Sequence, residues 1–405
     1  MRILTIFFTL IILTACDGSS NDANAPIKIG DISSYTGVGA YLGVEYKKGW
    51  QMGLAEINGQ GGVQVGGKRR PLEVLSRDSR SNPSDAVMVA QELIHRDDVV
   101  ALMGPIFSHV GLAVSQVAKA EQLPLITAIT GTDKLLWEGF HPYIFRVHLG
   151  STETAAYIAA HPEAKTARKW GVIAANYEAG HSYFAGFWEF IKKINPDAEI
   201  IVEQYPALGR IEAGTVVQAL RQTKPDAVFV FLLGGDLTSF VREYNKRGMK
   251  NTLFFNPDIG FPEERLRFGS ELPVGWHAIG LPDTEKAGSA YRIFYNQYQQ
   301  KYNEVPSRPV VIGYLALKSI AAGLEKAGVA ERQALADALP GKHFPFFYDK
   351  PFGFREVDHQ ANFALAIGKT AVMDGNPTFI PTAHPDPNSL QLSDAEIKQR
   401  QQADN

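Results

Sequence analysis

The chain has very little cysteine: a single Cys16 in 405 residues. One thiol excludes an intrachain disulfide and a cysteine-based zinc cluster. Excess charge of one sign is missing too. Forty Lys and Arg stand against forty-three Asp and Glu, for a formal net charge of -3, so no basic field points to nucleic acid. No low-complexity tract or disordered composition appears, and no apolar run reaches the ~20 residues of a permanent membrane span. Catalytic signatures are absent as well: the sequence holds no G-x-S-x-G and no H-E-x-x-H, and its ten His residues show no metal-ligand spacing. Asp358-His359 reads as a solvated turn. What remains is an ordinary globular composition, 45% hydrophobic and 20% charged, long enough for two domains or more.

The lone cysteine sits where a targeting segment would end. Arg2 is followed by an apolar run from Ile3 to Leu13, then by Thr14, Ala15 and Cys16. The run has the length of a signal-peptide core. Leu13-Thr14-Ala15-Cys16 resembles the bacterial lipobox, in which the cysteine becomes the lipidated first residue. Residues 1–15 are accordingly expected to be a lipoprotein signal peptide, with Cys16 the lipidation site. Residues 16–26, rich in Ser, Asn and Asp, read as a lipidated tether. Asp17 matches a sorting position that holds such lipoproteins at the inner membrane in enterobacteria, a rule that depends on the host.

From Pro26 onward, strands alternate with helices. Ile27–Ile32 alternates as a strand, and a helix carries Trp50, Leu54 and Ile57 on one face. Asn82-Pro83-Ser84 opens a further helix, and Val99–Met103 is a short, fully apolar strand of the kind buried in a parallel sheet. The pattern restarts at Trp170–Ala174, with helices at 182–194, 212–222 and 237–247 and the apolar strand Val228–Leu233. Two runs of βα units predict two doubly wound lobes. Two phosphate-type motifs fall short. Gly37–Gly43 misses G-x-G-x-x-G by one residue of spacing, and Gly62–Lys68 is followed by Arg69 where a P-loop needs Ser or Thr. No cofactor and no metal is expected.

The stretch "MGPIFSHVGLAV", Met103–Val114, carries more. A buried strand ends at Gly104-Pro105 and a helix starts near Ser108. Ligands of open α/β sheets lie beyond the carboxyl ends of the strands, and a helix N-terminus there suits a carboxylate. Ser108 is placed to cap that helix, to touch a ligand, or both.

The region from Ile27 to about Asn376 resembles the type I periplasmic binding proteins, in particular the branched-chain amino-acid (Leu/Ile/Val) binding group of ABC importers. The resemblance rests on the order and spacing of "SYTGVGAYLGVEYKKGWQMGLAEINGQGGV", "DSRSNPSDAVMVAQELI", "ALMGPIFSHVGLAVSQVAKAEQLPLIT", "NYEAGHSYFAGF", "KPDAVFVF" and "PFGFREVDHQ". It implies an α/β fold of two doubly wound parallel-sheet lobes joined by a three-strand hinge. Lobe one would comprise 27–148 plus 281–361 and lobe two 149–280 plus 362–380, with 381–405 a polar C-terminal tail. A solute would bind between the lobes, and a permease would read the closed form.

The resemblance also implies site residues. Ser108, Ile129, Thr130 and Thr132 match the positions that hold a ligand carboxylate, and the departure of "TAITGTDKL" from the family pattern leaves open which threonine points inward. Tyr41 (or Tyr35) matches a cleft aromatic, with Tyr177 opposite and Asp258 as partner of a ligand ammonium. For Asp258 a plain turn role after Pro257 stands beside that reading, and for Tyr177 lobe packing does. Gly235-Asp236 replaces a cleft tyrosine, which would widen or repolarise the pocket. The expected protein is not an enzyme. It binds an amino acid or a similar small amphipathic carboxylate or amide, meets an inner-membrane ABC permease, is anchored by lipid on the periplasmic side, and works as a monomer without nucleic acid. A ligand sensor of the same fold, docking to a receptor or regulator, is the alternative.

Overall fold

The computed structural model describes residues 25–249 and 251–402. The signal segment, Cys16, Asp17 and nearly all of the tether lie outside the described residues. The chain first builds strand β1 (Ile27–Ser33), helix α1 (Ala40–Gly59), a hairpin of β2 (Val63–Val65) and β3 (Lys68–Arg70), β4 (Leu72–Asp78), α2 (Pro83–His95), β5 (Ala101–Gly104), α3 (Ser108–Ala120), β6 (Leu125–Thr127) and β7 (Ile144–Arg146). Five of these strands form a parallel sheet in the order β4-β1-β5-β6-β7. Local signals place the elements. Asn82 Oδ1 accepts from Ser84 N and Asp85 N, capping α2, and Pro83 occupies its first turn. β5 is buried along its whole length, as a strand covered by helices on both faces must be.

A second sheet follows. Its elements are α4 (Ser151–Ala159), β8 (Lys169–Ala174), α5 (Glu178–Ile194), β9 (Glu199–Gln204), α6 (Ala213–Thr223), β10 (Ala227–Phe231), α7 (Gly234–Arg247), β11 (Leu253–Asn256), α8 (Pro262–Arg265) and β12 (His277–Gly280). The chain then returns to the first lobe for α9 (Ser289–Tyr302), α10 (Arg308–Ala327), α11 (Arg332–Ala338) and the hairpin of β13 (Gly341–Pro345) and β14 (Pro351–Phe354). It ends in the second lobe with β15 (Ala366–Met373) and β16 (Asn376–Ala383), then α12 (Asp394–Gln402). The second sheet runs β16-β15-β12-β11-β10-β8-β9, parallel except for the two C-terminal strands. Three connections thus join the lobes, after β7, after β12 and after β14.

Two packing features fix the first lobe. Helix α10 is buried over most of its length and lies against α1 at backbone distance. A Cβ on Gly49 would come within 2.0 Å of Val310 O, and one on Gly313 within 2.2 Å of Tyr46 O, so larger side chains cannot enter this contact. At the end of β5, Gly104 adopts φ +122° with Ile32 O where a Cβ would stand, which lets the chain turn sharply towards Pro105 and α3.

One expectation is corrected. Asp358 and His359 are buried, at 1% and 6% exposure. Asp358 pairs with Arg355, and the His359 ring stacks on Phe145 with centroids 4.2 Å apart. A short charged dipeptide looks like a turn in sequence, but this one closes a hinge network whose other members come from β7 and α4. Arg146 donates to Gln360 Oε1 (2.6 Å) and Thr132 O (2.7 Å), and lies 3.8 Å from both Asp133 and Glu153. The polar tail is structured as well: β16 runs on to Ala383, Ile397 is buried, and Arg400 both pairs with Glu189 and lies 4.4 Å over the Trp137 ring. Asp236 holds the 209–211 loop, accepting from Gly209 N (2.6 Å) and Ile211 N (3.1 Å).

Candidate ligand-binding site

Between the lobes lies a cavity of about 30 Å³, lined by Leu42, Ile106, Phe107, Ser108, Ile129, Tyr177, Ala179, Tyr183, Phe231, Leu233, Asp258 and Arg308. Four expected residues, Ser108, Ile129, Tyr177 and Asp258, meet there. The volume suits a water molecule and is far below the ~300 Å³ at which small-molecule pockets begin. This cavity is too small for a ligand of that class as the lobes stand, and Arg308–Asp258 holds them together beside it. A wider cavity of about 1030 Å³ opens beside it, between the start of α1, the 262–267 segment and residues 303–307.

The cavity is built from helix starts. Phe107, Tyr177 and Leu233 are the residues before the first turns of α3, α5 and α7, and none of these helices has a side-chain cap. Each leaves N–H groups of its first turn without an intrahelical acceptor, and the aligned peptide dipoles make each end positive. Ser108 does not cap its own helix. Its Oγ accepts from Thr132 N at 3.2 Å, which leaves its O–H to donate. The start of α10 also reaches the cavity, and its first N–H, that of Arg308, is taken by Glu263 Oε2 at 3.0 Å. Aromatic walls complete the lining: Tyr183 stacks on Phe231 at 4.4 Å, and Tyr177 meets Phe107 edge-on at 6.2 Å.

Arg308 was not anticipated. Its Nη1 donates to Asp258 Oδ1 at 2.6 Å and its Nε to Glu263 Oε1 at 3.0 Å, and its guanidinium lies 4.1 Å from the Phe261 centroid. All three charged groups are buried. The two carboxylates hold the guanidinium well above its ordinary range despite its burial. Burial pushes the Glu263 carboxyl up, against the pull of Arg308. Asp258, expected to meet an ammonium, thus already has a cation from the opposite lobe. Nothing in sequence flags Arg308, which heads a helix fifty residues downstream in the other lobe. The general rule that a buried carboxylate needs a partner was the available signal.

The other expected residues serve closure. Tyr41 Oη donates to Glu264 Oε1 across the cleft at 2.7 Å, with Arg267 4.9 Å over its ring. Burial is the main force raising the Glu264 carboxyl to about 8, helped by the charges of Asp258 and Glu263. Thr132 Oγ1 donates to Glu178 Oε1 at 3.1 Å, another contact between lobes. Thr130 Oγ1 donates to Pro105 O at 2.8 Å and ties two loops of lobe one together. None of Tyr41, Thr130 and Thr132 lines the small cavity.

Residues 26–376 match the family model described as "Periplasmic binding protein". A curated relative, Leu/Ile/Val-binding protein homolog 7 of Brucella melitensis, is 25% identical over 78% of this chain and 81% of its own length. Among solved structures, a solute-binding protein of an ABC transporter from Rhodopseudomonas palustris, in complex with 3,4-dihydroxybenzoic acid, superposes with a TM-score of 0.79. It has 23% identity, and the match covers 90% of this chain and 98% of the other. A leucine-binding protein from Thermotoga maritima superposes with a TM-score of 0.76 at 19% identity, over 90% and 99% of the two chains.

Proposed function

The chain belongs to the periplasmic binding protein family, and from that premise we propose that it is the extracytoplasmic solute-binding component of an ABC importer. It captures a small amphipathic carboxylate between its lobes and presents it to a permease as the cleft closes. One observation carries the choice of ligand: three uncapped helix N-termini and the Arg308 guanidinium border one aromatic-walled cavity. That arrangement recognises an anion with an apolar body. The relatives' named ligands, leucine and dihydroxybenzoic acid, both carry a carboxylate. Asp258 is the residue an α-ammonium would need, and Arg308 already neutralises it. The reading therefore favours a carboxylic acid without an ammonium group, such as a substituted benzoate, over an amino acid.

Cys16 is proposed as the lipid anchor and Asp17 as the signal that keeps the protein at the inner membrane, near its permease. The protein is read as a monomeric binding component with no catalytic role. Isothermal titration with benzoate, 4-hydroxybenzoate, 4-methylpentanoate and leucine tests the ligand class. Binding of at least one acid without an ammonium is expected. Silence from all the acids, together with binding of a neutral solute, overturns the proposal.

A further inference from the structure

We propose that His161, Glu163 and His277 form a zinc site in lobe two, remote from the ligand cleft. His161 and Glu163 follow α4, and His277 opens β12, so three metal-ligating side chains from two segments meet at one point. One ring nitrogen or carboxylate oxygen from each lies within 4.8 Å of the others. His161 Nδ1 and His277 Nδ1 are 3.3 Å apart, and Glu163 Oε2 is 3.8 Å from His277 Nδ1. Zinc bound to two imidazoles at about 2.0–2.1 Å holds their nitrogens about 3.3–3.4 Å apart at the tetrahedral angle. The imidazole pair already has that spacing, and the carboxylate needs to move in by only a few tenths of an ångström. Two imidazoles and one glutamate leave the fourth position to water, a ligand set that zinc accepts.

The surroundings orient these groups as outer-shell partners orient ligands. His161 Nε2 lies 3.2 Å from Ala278 O, so this nitrogen carries the proton and Nδ1 offers its lone pair inward. The His277 ring is stacked on Phe255, centroids 4.5 Å apart and 12° from parallel, and cannot swing away. Lys369, the antiparallel neighbour of His277, donates to Glu163 Oε1 at 2.6 Å, which holds the carboxylate and leaves Oε2 for the metal. Without metal, the two facing nitrogens share one proton, carried by His277 Nδ1. Zinc takes its place, and the proton moves to His277 Nε2, so that both rings bind the metal as neutral imidazoles. Glu163 is only partly buried, and the ion enters along it. The two histidines are 116 residues apart, which is why no ligand spacing shows in the sequence.

The test uses the purified chain, stripped with a chelator, given one equivalent of zinc chloride, gel-filtered and analysed for metal by mass spectrometry. Wild type retains the zinc, Glu163→Gln binds it at least about tenfold more weakly, and His277→Asn retains none. Cobalt in place of zinc gives the strong visible bands of tetrahedral coordination in wild type and loses them in both variants. Glu163 is at the surface, so unchanged circular dichroism of Glu163→Gln separates loss of metal from loss of fold. The proposal fails if wild type retains no zinc, or if both variants retain as much as wild type, which would assign the ion to other side chains.

Discussion

Replacing Arg308 by Met is the perturbation that most directly probes the site. The guanidinium reaches Asp258 at 2.6 Å and Glu263 at 3.0 Å, and both acids belong to the opposite lobe. Removing one partner of a buried ion pair inside a rigid core costs about 3–5 kcal/mol, because the other charge stays buried. Here the cost has an escape: opening the cleft returns Asp258 and Glu263 to water. The loss in global stability is therefore capped by the free energy of opening, and the remainder appears as a shift towards the open form. Ligand binding takes the larger effect. Arg308 is the only cationic side chain lining the described cavity. A hydrogen bond to a charged group contributes about 1.5–3 kcal/mol, so affinity for a carboxylate should fall about ten- to hundredfold.

The same substitution frees Asp258 to accept an ammonium, so selectivity should move in the opposite direction. Matched pairs isolate the effect: 4-methylpentanoate against leucine, and 3-phenylpropionate against phenylalanine, differ only by the α-ammonium. In wild type the acid without the amine binds more tightly within each pair. In Arg308→Met the order narrows or inverts, by about tenfold or more if a single charge-assisted bond is exchanged. Calorimetry gives the affinities, and small-angle scattering reports the open fraction of the unliganded protein. Tighter binding of leucine than of 4-methylpentanoate by wild type refutes the argument. So does a variant that binds the acids as wild type does while only its melting temperature falls.

Other contacts give sharper tests of the frame. Burial raises the Glu264 carboxyl from its ordinary 4.5 to about 8, so the folded protein holds this proton more tightly than the unfolded chain. Its contribution is whole below about pH 4.5 and is lost as pH rises through 8, at up to about 1.4 kcal/mol per pH unit; urea melts across that range should flatten in Glu264→Gln. Arg146→Met strands Asp133 inside the hinge, while Glu153 keeps Arg355 at 3.5 Å; the change should cost about 3–5 kcal/mol in a denaturant titration, a loss that opening the cleft does not relieve. Gly313→Ala forces α10 off Tyr46 O and should lower the melting temperature, whereas alanine at exposed Gly275, where a Cβ meets nothing within 4 Å, should act only through its φ of +82°. Cys16→Ser should abolish incorporation of labelled palmitate and release the protein from membranes; retention of label would place the anchor elsewhere.

Much of the fold was legible because it is written locally. The period of α1, the cap at Asn82 and the wholly apolar β5 and β10 each state their own structure within a few residues. The antiparallel β15 and β16 were not: β16 is a half-buried edge strand without an apolar run, and in β15 Gly368, Lys369 and Thr370 interrupt the run that marks β5. The site divides along the same line. Ser108 announces itself because it stands where a buried strand gives way to a helix, and that geometry is local; Tyr177 was reached only through the family resemblance. Asp258 was likewise placed by the family resemblance, but its partner was not. Arg308 Nη1 and Asp258 meet across fifty residues, Tyr41 and Glu264 across 223, and Arg146 and Gln360 across 214. Asp258 and Tyr41, chosen for a ligand, are spent on holding one lobe against the other, and Arg146 and Gln360, neither read as a site residue, hold the hinge. A two-lobe binder must close without its ligand being large enough to cement the lobes, so closure has to be encoded in protein–protein contacts. The Arg308–Asp258 and Tyr41–Glu264 pairs join surfaces that separate when the cleft opens, and no local pattern records them. The charge that decides what binds at Asp258 therefore comes from the lobe that does not carry it.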